Sequence, residues 1–253
     1  MDSIPFLIAH RGYPARYPEN SLEGIGAALE AGACYVEFDV QLSADGVPMV
    51  VHDENLLRTA GVGMNVLDTP ATELRQICIG QPARFGNTFS GARMSTLEEI
   101  VWLLLKWPKV TAFVEIKRAG LRRFGIPGVV PRVMDVLRPA LDQCILISFN
   151  SDAIAAARNA GAARTGWAFE EWDPRHRDIA AQLVPGYLFC KIGHIPPPPA
   201  TLWPGPWNWA AYQTDDPQVA LDLAARGIDF VETDDIGGML SHPVLKQKAC
   251  GRG

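Results

Sequence analysis

The chain has 253 residues, 48% apolar and 20% charged, with a formal net charge of −5. This balance suits one globular domain, residues 1–253. It excludes a nucleic-acid partner, because phosphate-backbone binding needs clustered Lys and Arg, and Arg122-Arg123 and Arg175-His176-Arg177 are too short.

Apolar runs and helical spacings alternate along the chain. A strand is expected over 6–9, ending in His10-Arg11-Gly12. Asn20 or Ser21 then caps a helix carrying Leu22, Ile25 and Leu29, stopped by Gly32. The second strand, 35–40, carries Glu37 and Asp39 two residues apart, and so on one side. Ala44-Asp45-Gly46 turns the chain into an extended run, 47–51, that ends in His52-Asp53. Residues 54–93 break the alternation and are expected to form a small insertion, with its glycine-rich stretch, 80–91, acting as a mobile cover.

Alternation resumes with overlapping capping-box patterns, Ser95/Glu98 and Thr96/Glu99, before a helix over 97–106. Further strands are expected over 110–116, 144–149, 164–168, 187–192, 208–212 and 228–231. Helices are expected over 129–137, 152–160, 178–183 and 217–226. Pro196–Pro199 reads as a stiff loop. Several strands are continuous apolar runs, as parallel strands buried on both faces are. Eight such units fit either a (β/α)8 barrel or a doubly wound sheet.

No uncharged run reaches the ~20 residues of a membrane span. The amino-terminal residues lack a basic, then long apolar, leader pattern. The five cysteines are scattered and odd in number, and Cys34, Cys144 and Cys190 lie in or beside strand candidates. They read as small core side chains in a reducing, cytoplasmic protein.

Six motifs stand in a fixed order: His10-Arg11-Gly12, Pro18-Glu19-Asn20, Glu37-x-Asp39 with Gln41, His52-Asp53, Leu57-Arg58-Thr59 and Glu115-Ile116-Lys117. In these the chain resembles the glycerophosphodiester phosphodiesterase family. The likeness fades after Lys117 and returns at Ser148-Phe149, Asp216-Pro217 and Thr233-Asp234-Asp235. The resemblance implies a (β/α)8 TIM barrel with an insertion at about 54–93. It also implies cleavage of a small glycerophosphodiester to glycerol 3-phosphate and an alcohol. At Tyr212-Gln213-Thr214-Asp215-Asp216 the chain departs from the family, which more often shows Trp and a Thr-Val-Asn-Asp-like run. That departure bears on substrate choice.

The chemistry follows from residue type. Glu37, Asp39 and Glu115 form an all-oxygen set that suits Mg2+ or Ca2+ better than zinc. The plainer role for such carboxylates is capping neighbouring helices. Arg11 and Lys117 are placed to hold phosphate oxygens, or to steady the carboxylates. His10 and His52 are the candidate acid and base, in undecided order. Glu19 is expected to orient Arg11 or a histidine. His194 is a weaker site candidate, while His176 and His242 are expected at the surface. Phe149, Trp167, Trp209 and Tyr212 are candidates for the alcohol side of the pocket or for core. Two rivals share these residues. One is a lysophospholipase D-type enzyme; the other is a phosphate-ligand binding protein without activity. In either enzyme a substrate hydroxyl could attack first, giving a cyclic phosphate.

Overall fold

The structure is a computed structural model and describes residues 3–250. In chain order its first elements are β1 (Phe6–Ala9), α1 (Leu22–Glu30), β2 (Tyr35–Leu42), β3 (Pro48–Val50), α2 (Leu57–Ala60), α3 (Ala71–Leu74), α4 (Pro82–Phe85) and α5 (Leu97–Leu104). There follow β4 (Thr111–Ile116), α6 (Arg118–Phe124), α7 (Ile126–Leu137), β5 (Cys144–Ser148), α8 (Ser151–Asn159), β6 (Thr165–Phe169) and α9 (Pro174–Leu183). The last are β7 (Tyr187–Lys191), β8 (Asn208–Tyr212), α10 (Pro217–Ala225), β9 (Phe230–Thr233) and α11 (Ile236–Ser241).

The parallel strands run β1-β9-β8-β7-β6-β5-β4-β2, and β2 pairs back onto β1. That closure makes a (β/α)8 TIM barrel. β3 stands outside the ring, antiparallel to the end of β2, with Val40 facing Val50. The reversal needs Gly46, whose φ is 81°.

Strand alternation sorts the side chains into two cores. Ile8, Phe113, Ile145, Ile147, Ala168, Phe189, Ala210 and Phe230 fill the barrel. Their neighbours, among them Val36, Phe38, Val114, Leu146, Trp167, Leu188 and Trp209, pack outward with the helices. Phe113 is fully buried and touches the rings of Tyr187, Phe189 and Phe230 edge-on. Truncating it to Ala would cost about 3–5 kcal/mol.

Helix starts follow the sequence signals. Ser21 Oγ accepts from Gly24 N, Thr96 and Glu99 close a capping box, and Asn150, Asp173 and Asp216 cap α8, α9 and α10. Outside the 54–93 segment two helices, α6 and α11, lie where no helix is expected. In α11 the glycines that argue against a helix answer a need for space. A Cβ on Gly237 would lie 2.2 Å from the Tyr13 hydroxyl, and one on Gly238 2.2 Å from Asp235 Oδ2. β9 begins two residues later than the apolar run suggests and so takes in Glu232.

Residues of the 54–93 segment form three short helices around their own core, in which Leu56, Val66, Leu74, Ile79 and Met94 are buried together with Met49 and Val51. The cysteines depart from expectation. Cys144 and Cys190 are buried, but Cys34 is disulfide-bonded to Cys250. The bond ties the end of the described chain to the turn before β2, where Cys250 N also donates to Gly32 O. A frayed tail is therefore not found at Cys250, and residues 251–253 lie outside the described residues. No described helix is long and apolar enough to cross a membrane.

Candidate active site

The same alternation that fills the barrel builds the site above it. Continuing each inward-facing row past the last apolar layer leads from Ile8 to His10, from Phe113 to Glu115 and Lys117, and from Ile147 to Phe149. It leads likewise from Phe189 to Lys191, from Ala210 to Tyr212, and from Phe230 to Glu232. On β2 the row is Tyr35, Glu37, Asp39. The residues these rows lead to, together with Glu37, Ile147 and Phe189, line a cavity of about 620 Å3 at the carboxyl ends of the strands, while Asp39 lies outside its lining. Arg11, His52 and Gln213 complete its polar rim. Position at that end is where barrels of this type place their chemistry.

The β1–α1 loop is locked onto β2. Arg11 and Asn20 both adopt left-handed backbone, φ 50° and 55°, a conformation that costs about 1–2 kcal/mol for a residue with a Cβ. The contacts made there offset it. Arg11 N donates to Glu37 Oε2 at 3.0 Å, and Asn20 N to Arg11 O at 2.9 Å. Asn20 Nδ2 donates to Asp39 Oδ2 at 2.8 Å, and Asp39 N returns a bond to Asn20 Oδ1 at 3.1 Å. Gly12 sits where a Cβ would lie 2.7 Å from Ile25 N. The His-Arg-Gly and Pro-Glu-Asn motifs are thus one clasp around the two carboxylates.

Three buried acids, the part-buried Glu115 and two cations share the floor. Lys117 Nζ lies 2.7 Å from Glu115 Oε1 and 3.1 Å from Asp39 Oδ1. Arg11 Nε is 3.2 Å from Asp39 Oδ2, though without hydrogen-bond geometry. Burial opposes ionisation of Asp39, but Lys117 and Arg11 outweigh it and hold the carboxyl well below its usual range. Glu37 is pushed the other way, by burial and then by the charges of Asp39, Glu232 and Glu115. Glu115 is raised by burial, with Lys117 only partly offsetting it. Burial also pushes Glu232 up to about 7.

That pattern is what a group of carboxylates short of positive charge produces. Glu37, Asp39, Glu115 and Glu232, set against Arg11 and Lys117, leave two negative charges in excess when all are ionised. Glu37 Oε1 is buried with no hydrogen-bond partner. Ligand oxygens of Glu37, Asp39 and Glu115 lie within 4.8 Å of one another. The residues therefore fit a divalent cation. Glu171, Asp173 and His176 also converge, but Asp173 caps α9 there and His176 stacks on Trp167.

Each candidate histidine is held through Nδ1 by a carboxylate. His10 Nδ1 is 2.8 Å from Asp234 Oδ1, and His52 Nδ1 is 2.6 Å from Asp53 Oδ1. Burial lowers the His10 pKa, but the Asp234 hydrogen bond and the Glu232 charge more than reverse it, so the pKa ends raised. Asp234 is itself fixed, with Gln213 Nε2 donating to its Oδ2 at 2.8 Å and its own N–H donating to Asp215 Oδ1. Around His52, Arg58 joins Asp53 at 2.7 Å to both oxygens of Glu19 at 2.5 and 2.7 Å, and Glu19 meets Arg11 at 3.0 Å. Glu19 therefore contacts Arg11, as expected, while Arg58 relays that contact towards the second histidine.

All eight expected site residues gather around this cavity. Several of their partners were not singled out. Asn20, Arg58 and Asp234 lie inside quoted motifs, and Glu232 with Asp234 repeats the two-residue carboxylate spacing of Glu37 and Asp39. Phe149 and Tyr212 line the cavity, whereas Trp167 and Trp209 face the helices. His194 is exposed and lines no part of the cavity. The mobile-cover expectation is corrected as well. None of residues 80–91 lines the cavity, because Phe89 packs against Phe85 and Tyr17 instead.

Residues 10–191 match the model of the glycerophosphoryl diester phosphodiesterase family. A glycerophosphodiester phosphodiesterase of Caldanaerobacter subterraneus is 39% identical over 146 residues, covering 57% of this chain and 58% of its own length. A probable glycerophosphodiester phosphodiesterase 1 of Mycobacterium tuberculosis is 34% identical over 174 residues, covering 62% and 61%. The chain thus spans about six tenths of the length of these curated relatives. Among solved structures, an Oleispira antarctica phosphodiesterase in complex with the product sn-glycerol-3-phosphate superposes with a TM-score of 0.81 at 23% identity, covering 94% of this chain and 96% of that one.

Proposed function

The chain belongs to the glycerophosphoryl diester phosphodiesterase family, and from that premise we propose that it hydrolyses glycerophosphodiesters to glycerol 3-phosphate and an alcohol. The observation that carries this reading is the pair of carboxylate-held histidines flanking a floor of excess negative charge. A binding protein needs anion-attracting groups there and gains nothing from acids it must bury. The product bound in the Oleispira antarctica structure is the same one this reaction releases. One barrel domain, with the 54–93 segment as an appendage, carries the reaction in this reading.

Glu37, Asp39 and Glu115 would hold a divalent cation, Mg2+ or Ca2+ by the all-oxygen donor set. Glu37 is best placed, since its Oε1 is buried without a partner, whereas Asp39 is engaged by Lys117, Asn20 and Arg11, and Glu115 by Lys117. A bound cation neutralises charge on the phosphodiester and so makes phosphorus more open to attack. Arg11 and Lys117 supply further positive charge to the phosphate. Asp234 and Asp53 hold Nδ1–H of His10 and His52, which leaves each Nε2 for proton transfer. With its raised pKa, His10 is suited to hold a proton and deliver it to the departing alkoxide, and His52 to take one from the attacking hydroxyl.

The apolar part of the cavity wall, Ile147, Phe149, Ala168, Phe189 and Ile192, favours the lysophospholipase D-type variant as the second reading. A panel of glycerophosphodiesters and lysophospholipids, with Mg2+, Ca2+ or EDTA and products read by mass, separates the two. The same products show whether a cyclic phosphate forms. Absence of metal-dependent turnover on every substrate would overturn both. A cytoplasmic location completes the proposal on the strength of the three free thiols. The Cys34–Cys250 bond opposes it, because a reducing compartment keeps cysteines as free thiols, and thiol trapping in cell extracts tests it.

A further inference from the structure

Lys191 has no use in the mechanism above. It ends β7 on the inward row after Tyr187 and Phe189, and it lines the cavity. β7 is four strands from β2 in either direction around the ring, so Lys191 faces the metal-binding carboxylates across the mouth. Among the described residues no carboxylate lies within ion-pair distance of it, whereas Arg11, Arg58, Lys117 and Arg118 all have acidic partners. Glu170, on the inward row of the neighbouring β6, is taken up by both terminal nitrogens of Arg118, at 3.0 and 2.7 Å. Lys191 therefore has no ion-pair partner among the described residues.

Phe149, which follows β5 midway round the ring between β2 and β7, adds a second observation in the same cavity. An aromatic face lining a pocket attracts quaternary ammonium groups. Here the Arg118 guanidinium already lies 5.0 Å from the Phe149 centroid, and Tyr212 approaches its ring at 79°. Arg118 therefore occupies the ring face that a cationic head group would need.

We propose that Lys191 selects the alcohol half of the substrate, favouring leaving alcohols that carry an additional anionic group over those that carry a quaternary ammonium. The inference rests on the phosphodiesterase reading. With phosphorus held at the Glu37 and Glu115 side, the alcohol reaches across the cavity to β7, and an anion on it meets Lys191 in a charge-assisted contact. Lys191 is exposed, so the gain is modest, about three- to tenfold in kcat/KM.

The test compares glycerophosphoinositol 4-phosphate, glycerophosphoinositol and glycerophosphocholine at fixed free metal ion. The full chain is used as wild type, Lys191→Arg, Lys191→Gln and Lys191→Glu. The wild type is expected to prefer the phosphorylated inositol diester over the plain one by that factor, with the choline diester last, and the preference should shrink in high salt. Lys191→Arg keeps the order, Lys191→Gln levels it, and Lys191→Glu reverses it. A wild-type ratio of one or less, or a ratio that none of the variants moves, overturns the role of Lys191 while leaving the phosphodiesterase reading standing. No turnover on any of the three diesters overturns both.

Discussion

His10 and Asp234 are 224 residues apart, yet His10 Nδ1 lies 2.8 Å from Asp234 Oδ1. β1 and β9 are neighbours where the barrel closes, with Ile8 opposite Glu232, and each inward row ends one step further on in one of these two residues. Asp234 fixes the imidazole and, with Glu232, keeps it prone to protonation. Asp234→Asn should lower kcat roughly 10–100-fold, the usual cost of losing a group that orients a functional one. His10→Ala should cost roughly 10²–10⁴-fold. The double variant should be no slower than His10→Ala alone, because both changes remove one function. Additive losses in steady-state kinetics would separate Asp234 from His10.

The two histidines should respond differently to the leaving group. A p-nitrophenyl ester needs little help from an acid. His10→Ala should recover most of its rate on such an ester, while His52→Ala should stay slow. The opposite result would exchange their roles. Near-normal turnover of a natural diester by either variant would remove that histidine from the mechanism.

Glu37 crowds three other carboxylates and has a buried oxygen without a partner. Glu37→Gln removes a charge that only a cation offsets. Metal affinity measured by calorimetry should fall by about tenfold or more, a loss of about 1.4 kcal/mol. In EDTA the variant should melt at the same temperature as the wild type or higher, since like-charge repulsion is relieved. Unchanged metal affinity would take Glu37 out of the ligand set.

Burial raises the Glu19 carboxyl, but the Arg58 hydrogen bonds and the Arg11 and Arg58 charges outweigh it, so its pKa is depressed in the fold. A depressed acid stabilises the folded state above its unfolded pKa, about 4.3, and loses that contribution as pH falls through the folded value. Arg58 is half exposed, so Arg58→Ala should cost about 1 kcal/mol at pH 7. The gap between wild type and variant should narrow as pH falls below about 4.3 and close once pH passes the depressed folded value. Urea unfolding across pH measures it, and a gap independent of pH would assign the Arg58 contribution to packing.

Cys34 and Cys250 join the base of β2 to the last described residue. A single Cys250→Ser change should lower stability by about 2–4 kcal/mol, the usual contribution of a disulfide. Reductant should lower the melting temperature of the wild type and leave that of the variant unmoved. Equal melting with and without reductant in the wild type would mean the thiols are unpaired in solution.

Much of this site was legible along the chain because its signals are local. Alternation places Glu37 and Asp39 on one side of a strand, and apolar runs ending in His10 and Glu115 mark strand tops. Caps such as Thr96 with Glu99 set helix starts within a few residues. Motif order added the barrel, between two architectures that the strand count allows. Tertiary structure decided the rest, because it concerns pairs that no local period relates. Ring closure brings Asp234 to His10 and sets Lys191 opposite Glu37. The fold of the 54–93 segment delivers Arg58 to Glu19 and turns residues 80–91 away from the cavity. The run of the chain beneath the barrel carries Cys250 to Cys34. A side chain's direction along its own strand can be read from its neighbours in sequence. Which charge it meets across the barrel depends on strands far away in the chain, packed together only in the fold.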